Sequence, residues 1–206
     1  MCIESLNLRT ALSYIGMEGN EQSWMEFDEY HRSALQRLQQ SGAECAAIAS
    51  NTPHCRLESI VRGISIPIID MFDAVARETA RSHLNDVLPL GTPATMKSTR
   101  FRKVLGKHGL GVLEVGDPSA ISDIFALIER LQRASVEGIS TKLNSIVRGI
   151  WDGQSSAQPC VLLACTELPM AFRKDARSAI FESEGILYIN STAVHIRAVL
   201  DCAREK

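Results

Sequence analysis

Short apolar runs alternate with longer amphipathic segments along most of the chain. The apolar runs predict strands at residues 12–15, 43–49, 65–69, 86–90, 111–115, 160–164 and 186–189. Apolar residues at helical spacing predict helices at 23–41, 71–82, 94–106, 120–134, 142–151 and 192–205. The run at 43–49 is apolar on both faces, which is typical of a strand buried within a parallel sheet. The alternation of strands and helices indicates an α/β protein with mainly parallel sheets.

Nothing in the sequence marks a long linker between separate domains. We predict two α/β lobes that are joined twice, near residues 84–86 and again near residues 184–187. The first lobe then comprises residues 1–85 and 187–206, and the second lobe comprises residues 86–186. A chain of 206 residues is long enough to bury a core in two small lobes.

The charge and cysteine patterns exclude several classes of function. The net charge is −2 without an acidic or basic block, so we expect no nucleic-acid partner and no attachment to a membrane. No apolar run approaches the roughly 20 residues that cross a bilayer, and the first residues lack a secretion signal. The six cysteines form no CxxC pair, and no histidine cluster has zinc-ligand spacing. We therefore expect a cytoplasmic protein with free thiols and no metal, nucleotide or pyridoxal phosphate cofactor.

Three of the predicted strands end in similar polar turns. In each turn a threonine stands where a helix N-cap belongs, and in two of them a proline follows at the first helical position. Backbone N–H groups and hydroxyls at the carboxyl end of a parallel sheet suit a small carboxylate ligand. None of the turns has the Gly/Lys pattern of a phosphate-binding loop. The three turns are Ser50-Asn51-Thr52-Pro53, Gly91-Thr92-Pro93 and Cys165-Thr166-Glu167.

Ser50 and Cys165 occupy matching places in two of these turns. A single turn of this kind is common between a strand and a helix and is usually structural. A lone cysteine after a buried strand is likewise more often an inert core thiol. The matched pair favours a site with one reactive residue from each turn. A position at a helix N-terminus is expected to lower the pKa of the Cys165 thiol, as a base or nucleophile requires.

The three motifs, in this order and spacing, resemble those of the aspartate/glutamate racemase family. That family includes glutamate, aspartate and hydantoin racemases, with arylmalonate decarboxylase and maleate isomerase as relatives. Its motifs are Cys-Asn-Thr-x-His, Gly-Thr-x-x-Thr and Cys-Thr-Glu-Leu-Pro. The corresponding segments here are Ser50-Asn51-Thr52-Pro53-His54, Gly91-Thr92-Pro93-Ala94-Thr95 and Cys165-Thr166-Glu167-Leu168-Pro169.

The resemblance implies two similar Rossmann-like lobes facing a shared cleft, with cofactor-independent chemistry. Cys165 and Ser50 are then the catalytic pair, acting on opposite faces of the substrate α-carbon. Arg148 lies where aspartate racemases often carry a basic residue near the substrate. A homodimer that binds a small amino acid or dicarboxylate is expected. The implied substrate-binding residues are Asn51, Thr52, Thr92, Thr95, Thr166, Glu167 and Arg148.

Three features depart from the family pattern. Ser50 replaces the first catalytic cysteine. Only 49 residues precede Ser50, so the opening strand of the family and its Gly-Gly-Met turn are expected to be absent, through loss or through a misassigned start. A short polar loop at residues 155–159 stands where the family usually has another helix, which weakens the match at the adjoining Arg148.

These departures leave three functional hypotheses. A serine hydroxyl does not ionise near neutral pH without a neighbouring base. A Ser50/Cys165 racemase therefore needs His54 or water to relay the proton of the Ser50 hydroxyl. The alternative for His54 is that it packs against or caps the turn. A decarboxylase or isomerase of the same superfamily needs only Cys165. The third hypothesis is a degenerate homologue that binds a small dicarboxylate or amino acid without turnover.

Overall fold

The computed structural model describes residues 1–15, 20–82, 84–152 and 158–204. Its strands are β1 (Ala46–Ala47), β2 (Ile68–Ile69), β3 (Asp86–Gly91), β4 (Gly111–Val112), β5 (Cys160–Ala164), β6 (Ile180–Ser183) and β7 (Ile186–Asn190). Its helices are α1 (Leu8–Ser13), α2 (Glu21–Gln40), α3 (Asn51–His54), α4 (Leu57–Ile60), α5 (Met71–Arg81), α6 (Pro93–Met96), α7 (Thr99–Lys107), α8 (Pro118–Gln132), α9 (Ile139–Trp151) and α10 (Ser191–Arg204). A 3₁₀ turn covers Leu168–Ala171.

The strands form two separate sheets. The smaller sheet pairs β1 with β2 in parallel. The larger sheet has the order β4-β3-β5-β7-β6, and only the edge strand β6 runs antiparallel to its neighbour. All five residues of the central strand β5 are buried, as expected of a parallel strand covered on both faces. The predicted α/β fold with mainly parallel sheets is confirmed.

Each sheet has its own hydrophobic core. The larger core includes the buried faces of α5, α7, α8 and α9 and the strands of the five-stranded sheet. The smaller core is built from Phe27 and Leu35 of α2, with Ala46 and Ile60. Within the described residues, no helix combines the length and apolar character needed to cross a bilayer.

The structure corrects the predicted elements at three places. Residues 12–15 were predicted to form a strand, but α1 forms there instead, capped by Asn7, whose side chain accepts from the Thr10 amide. A short apolar run is compatible with either a strand or a helix. The Asn7 cap favours the helix here. The helix predicted at 94–106 is two helices, because Ser98 caps a new one at α7. The strand β6 was missed, although the two-residue Glu184-Gly185 turn, with φ of 52° and 77°, is typical of a hairpin.

The last strand belongs to the larger sheet. β7 pairs with β5 through Cys160↔Leu187 and Leu163↔Asn190, which corrects the prediction that residues 187–190 lie in the first lobe. An apolar run predicts a strand but does not identify its pairing partner. The helix α10 that follows contacts the smaller sheet, where His195 Nε2 lies 2.9 Å from the Ile69 carbonyl oxygen. The rest of the predicted division into lobes stays a prediction, and most of the polar loop predicted at 155–159 lies outside the described residues.

We expect Tyr188→Phe to lower the free energy of unfolding by about 1–3 kcal/mol, because it leaves a buried polar group unsatisfied. The Tyr188 hydroxyl donates to Asn144 Oδ1 at 2.5 Å in the core, and the Asn144 side-chain amide nitrogen has no other partner among the described residues. Denaturant unfolding followed by circular dichroism measures the loss.

Tyr30→Phe is the matched control. The Tyr30 hydroxyl accepts from the Asn7 amide at 2.9 Å in an exposed position, where water replaces the lost partner. We expect that variant to change the free energy of unfolding by less than about 0.5 kcal/mol. Equal losses in the two variants would contradict the importance of the buried pair.

Candidate active site

The carboxyl ends of three neighbouring strands lie side by side at one edge of the larger sheet. β5 is flanked by β3 and β7, with Gly91 opposite Ala164 and Leu163 opposite Asn190. The next residues along the chain, Thr92, Cys165 and Ser191, therefore share that edge. Ligands of open parallel sheets bind beyond such strand ends.

Gly91 permits the close approach of β3 to β5 at this edge. A Cβ atom at position 91 would lie 2.4 Å from the carbonyl oxygen of Ala164, far inside van der Waals contact. Only glycine therefore fits between the strand end and its neighbour. The absence of a side chain at Gly91 keeps Thr92 and Cys165 next to each other.

The segment around Ser50 forms a short helix at the end of the smaller sheet. Ser50 has extended backbone angles immediately before α3, and its side chain makes no capping hydrogen bond. Thr52 is the second residue of α3, so the prediction that it caps a helix is wrong. The matching prediction for Thr92 is confirmed, because its hydroxyl accepts from the Thr95 amide at the start of α6.

Hydrogen bonds from this turn reach both strands that flank β5. Thr52 Oγ1 lies 3.3 Å from Thr92 Oγ1, at the end of β3. Asn51 Nδ2 donates to Ser191 Oγ at 3.2 Å, at the end of β7. Ser191 Oγ in turn donates to the carbonyl oxygen of Leu163 in β5 at 2.7 Å. The turn that carries Ser50 therefore bridges the end of β5, where Cys165 lies.

Three hydroxyls form a polar patch beside this bridge. Thr92 Oγ1 lies 3.1 Å from Thr95 Oγ1 and 3.3 Å from Thr52 Oγ1. Each hydroxyl can donate one hydrogen bond and rotate to suit its acceptor. Hydroxyls of this kind suit the oxygens of a carboxylate, although Thr52 and Thr95 are buried in this structure.

The Cys165 thiol is hydrogen-bonded to a carboxylate. The thiol, 5% exposed, donates to Glu167 Oε2 at 2.9 Å, and the Thr166 hydroxyl donates to the same oxygen at 2.9 Å. Burial and the adjacent negative charge of Glu167 raise the pKa of the Cys165 thiol far above its ordinary value. The prediction that a helix N-terminus lowers the pKa of Cys165 is wrong, because no α-helix begins at Cys165 and the 3₁₀ turn starts only at Leu168.

His54 is fully buried, and both of its ring nitrogens have partners. Nε2 lies 3.1 Å from the Ile48 carbonyl oxygen, and Nδ1 lies 3.2 Å from Asp70 Oδ1. Arg100 completes the cluster, with Nη1 donating to the His54 carbonyl oxygen at 2.9 Å and Nη2 to Asp70 Oδ2 at 2.6 Å. His54 therefore holds the turn in place and has no nitrogen left to relay a proton from Ser50.

Arg148 does not join the other predicted site residues. It is exposed on α9, and its Nη2 donates to the carbonyl oxygen of Glu184 at 2.7 Å. Glu184 lies in the turn before β7, at the amino end of that strand, whereas Ser191 follows its carboxyl end. The assignment depended on a match beside a loop whose length departs from the family, and we leave Arg148 out of the site.

Two kinds of functional residue were missed by the sequence reasoning. Ser191 lies at an ordinary strand-to-helix junction, so its sequence context does not mark it. Only the pairing of β7 with β5 shows that it lies next to Cys165. Asp70 and Arg100 are 30 residues apart, and no local pattern connects them. In the described ranges, no group of three or more His, Cys, Asp or Glu side chains is suited to hold a metal ion.

Comparison with known proteins identifies the family. A family model described as Asp/Glu/hydantoin racemase matches residues 18–199. The chain belongs to the Asp/Glu/hydantoin racemase family. It is 22% identical over 148 residues to the broad specificity amino-acid racemase RacX of Bacillus subtilis, covering 70% of this chain and 62% of that protein.

Solved structures from the racemase family share the fold. An aspartate racemase homologue from Pyrococcus horikoshii has a TM-score of 0.75 and 26% identity, with 98% of this chain and 83% of that chain covered. Glutamate racemase from Francisella tularensis, in complex with D-glutamate, has a TM-score of 0.64 and 18% identity, with 93% and 68% covered. The racemase fold therefore extends over almost the whole chain.

We expect Asp70→Asn to lower the free energy of unfolding by about 3–5 kcal/mol at neutral pH, because it leaves Arg100 without its buried partner. Burial alone raises the pKa of Asp70, but hydrogen bonds from His54 and Arg100 outweigh it and hold that pKa well below its usual range. The stabilisation is therefore present above the unfolded-state pKa of about 3.9. It is lost as the pH falls towards the folded-state pKa.

Denaturant unfolding at several pH values measures this contribution, and the wild-type protein should lose more stability on acidification than Asp70→Asn. Asp123→Asn is the control, because Asp123 forms an exposed ion pair with Lys142 at 3.0 Å. That pair is worth about 0–1 kcal/mol. The same acid dependence in wild type and Asp70→Asn would show that the buried carboxylate is not the stabilising group.

Proposed function

We propose that this protein is a cofactor-independent amino-acid racemase of the aspartate/glutamate type, with Ser50 and Cys165 on opposite faces of the substrate α-carbon. The proposal depends on one observation, the bridge that Thr52 and Asn51 make to the strands flanking β5. That bridge puts the Ser50 turn over the strand end that carries Cys165. Family membership and the racemase fold support the same reaction type.

The polar patch gives the reaction its substrate-binding group. Hydroxyls of Thr52, Thr92 and Thr95, with the Asn51 amide, are positioned to donate to substrate carboxylates. Removing the α-proton leaves negative charge on the α-carbon and its carboxylate. Fixed donors at that carboxylate stabilise the charge where it develops, which is an electrostatic effect of the oxyanion-hole kind. The substrate is then a small amino acid with an acidic side chain, and Thr166 completes the group from the Cys165 side.

Cys165 acts first as an acid in this scheme. Its thiol is protonated at rest and hydrogen-bonded to Glu167, so it can deliver a proton to the α-carbon. The opposite face requires a base that removes the α-proton. In the reverse reaction the Cys165 thiolate takes the α-proton back, and the contact with Glu167 forms again.

Ser50 limits the rate on the other face. His54 is engaged elsewhere, so the Ser50 hydroxyl has to pass its proton to water or to a group of the substrate. Two enantiomers in water have equal free energy, and kcat/KM must then be equal in both directions. A weak base on one face therefore slows both conversions alike, and we propose a slow racemase. We propose a homodimer in the cytoplasm as its working state.

The protonated state of Cys165 also favours a second candidate function. A decarboxylation or isomerisation needs one proton donor on one face, and a neutral thiol held by Glu167 is such a donor. Ser50 would then only help to bind substrate. Binding of a small dicarboxylate or amino acid without turnover is the third possibility, and the same experiments separate all three.

We expect Ser50→Cys to raise the rate of aspartate or glutamate racemisation by a factor on the order of 10²–10⁴, the usual contribution of a general base. Polarimetry from each enantiomer and uptake of solvent deuterium at the α-carbon measure the change. Cys165→Ser should abolish activity, because it leaves neither catalytic position with a thiol. Ser13→Cys, which adds a thiol at an exposed position of α1, is the control for a nonspecific effect.

The pattern of results distinguishes the three functions. If Ser50→Cys exchanges no deuterium while calorimetry detects a bound dicarboxylate, the racemase proposal fails and binding without turnover takes its place. Loss of carbon dioxide from a substituted malonate, dependent on Cys165 and indifferent to Ser50→Cys, would instead identify single-cysteine chemistry.

We expect Glu167→Gln to move the ionisation of Cys165 to lower pH, because the Glu167 charge is one of the causes that raise the pKa of that thiol. Burial remains, so the pKa stays above that of a free cysteine. The pH dependence of iodoacetamide alkylation at Cys165, read by peptide mass spectrometry, measures the shift. Glu182→Gln on the edge strand β6 should leave the profile unchanged, and an equal shift there would contradict a local effect.

A further inference from the structure

Two cysteines from distant parts of the chain lie in contact outside the candidate active site. Cys202 Sγ is 3.5 Å from Cys45 Sγ, although the residues are 157 positions apart. Cys45 immediately precedes β1, and Cys202 is in the last turn of α10. Neither cysteine forms a disulfide in this structure, and both are partly exposed. A disulfide requires a sulfur–sulfur distance of about 2.05 Å, so the two sulfurs must approach each other by only about 1.5 Å.

A cleft gives solvent molecules access to this pair. It has a volume of about 620 Å³, lies between α5, α7 and α10, and includes Cys202 in its wall. Basic and acidic side chains line the cleft in similar numbers, so its charge does not select among small reagents. Its volume is large enough to admit a disulfide of low molecular weight next to Cys202.

The remaining thiols have surroundings that set them apart. Cys160 and Cys165 are buried in the core, where burial raises the pKa of both. Burial likewise raises the pKa of Cys55, whose thiol lies 3.6 Å from the Ala94 carbonyl oxygen. Cys2 is exposed near the N-terminus. Cys45 and Cys202 combine a cysteine neighbour with access to solvent.

We propose that Cys45 and Cys202 form a reversible disulfide that joins the end of α10 to the start of β1. The oxidant is a low-molecular-weight disulfide. The Cys202 thiolate attacks one of its sulfurs and releases one small thiolate, which leaves a mixed disulfide. The Cys45 thiolate then attacks the Cys202 sulfur and releases the second small thiolate. Two cysteine thiols are oxidised, the small disulfide is reduced to two thiols, and the two cysteine protons end on these products.

The Cys45–Cys202 bond would join the segment that leads to the Ser50 turn to the helix that begins at Ser191. β1 leads within three residues to the Ser50 turn, and α10 begins at Ser191, which accepts from Asn51. A covalent tie at the other end of α10 therefore restrains any separation of the Ser50 turn from the edge of the larger sheet. Oxidation is expected to stabilise the contact between the Ser50 turn and Ser191, whatever reaction the site catalyses.

Oxidised glutathione, added to the reduced protein over a range of redox ratios, tests the proposal. We expect intact mass spectrometry to show the loss of two hydrogen atoms, peptide mapping to identify the Cys45–Cys202 bond, and the unfolding temperature to rise. Dithiothreitol should reverse all three changes. Cys2→Ser is the matched control and should behave like the wild-type protein.

Variants at the pair make the result decisive. Cys45→Ser should stop at a single glutathione adduct on Cys202, with no rise in unfolding temperature. Peptide mapping of the wild-type protein requires no variant, so the test survives if Cys45→Ser does not fold. Glutathione adducts on both cysteines without a bond between them, or a disulfide that includes Cys2, would overturn the proposal.

Discussion

The carboxylate of Asp70 holds together three segments that are distant in sequence. One of its oxygens accepts from the Phe72 amide at 3.0 Å and begins α5, and the same oxygen lies 3.2 Å from His54 Nδ1. The other oxygen accepts from Arg100 of α7 at 2.6 Å. A buried carboxylate is stable only when such partners offset the loss of water. The position of the Ser50 turn depends on this cluster, because Ser50 lies four residues before His54.

The candidate site is thus built from two kinds of interaction with different tolerances. The ionic cluster around Asp70 fixes where α3 lies, and it combines the fully buried His54 with the partly exposed Asp70 and Arg100. The contacts at the candidate site, between Thr52 and Thr92 and between Asn51 and Ser191, are neutral hydrogen bonds. Each neutral bond is worth only about 0.5–1.5 kcal/mol. A ligand can therefore replace them at small cost, while the buried ion pairs keep the turn in position.

Much of the fold and part of the site followed from the sequence, for identifiable reasons. The apolar runs of β3 and β5 and the spacing in α5 and α9 are local signals, and the three turn motifs are local as well. The pairing of β7 with β5 and the contact of Asp70 with Arg100 depend on strand order and on packing. The state of the Cys165 thiol depends on burial and on where the next helical turn begins. A turn motif alone predicted a lowered pKa, and the actual surroundings raise it.

Gly91 has a consequence for how the sequence of this protein can vary. The hydroxyls of Thr52, Thr92 and Thr95 contact one another and take no part in the pairing of the strands. Any side chain at position 91 meets the Ala164 carbonyl oxygen, so it would push apart the two strands whose ends carry Thr92 and Cys165. The turns can therefore vary in sequence, while position 91 must stay glycine for these two strand ends to remain paired.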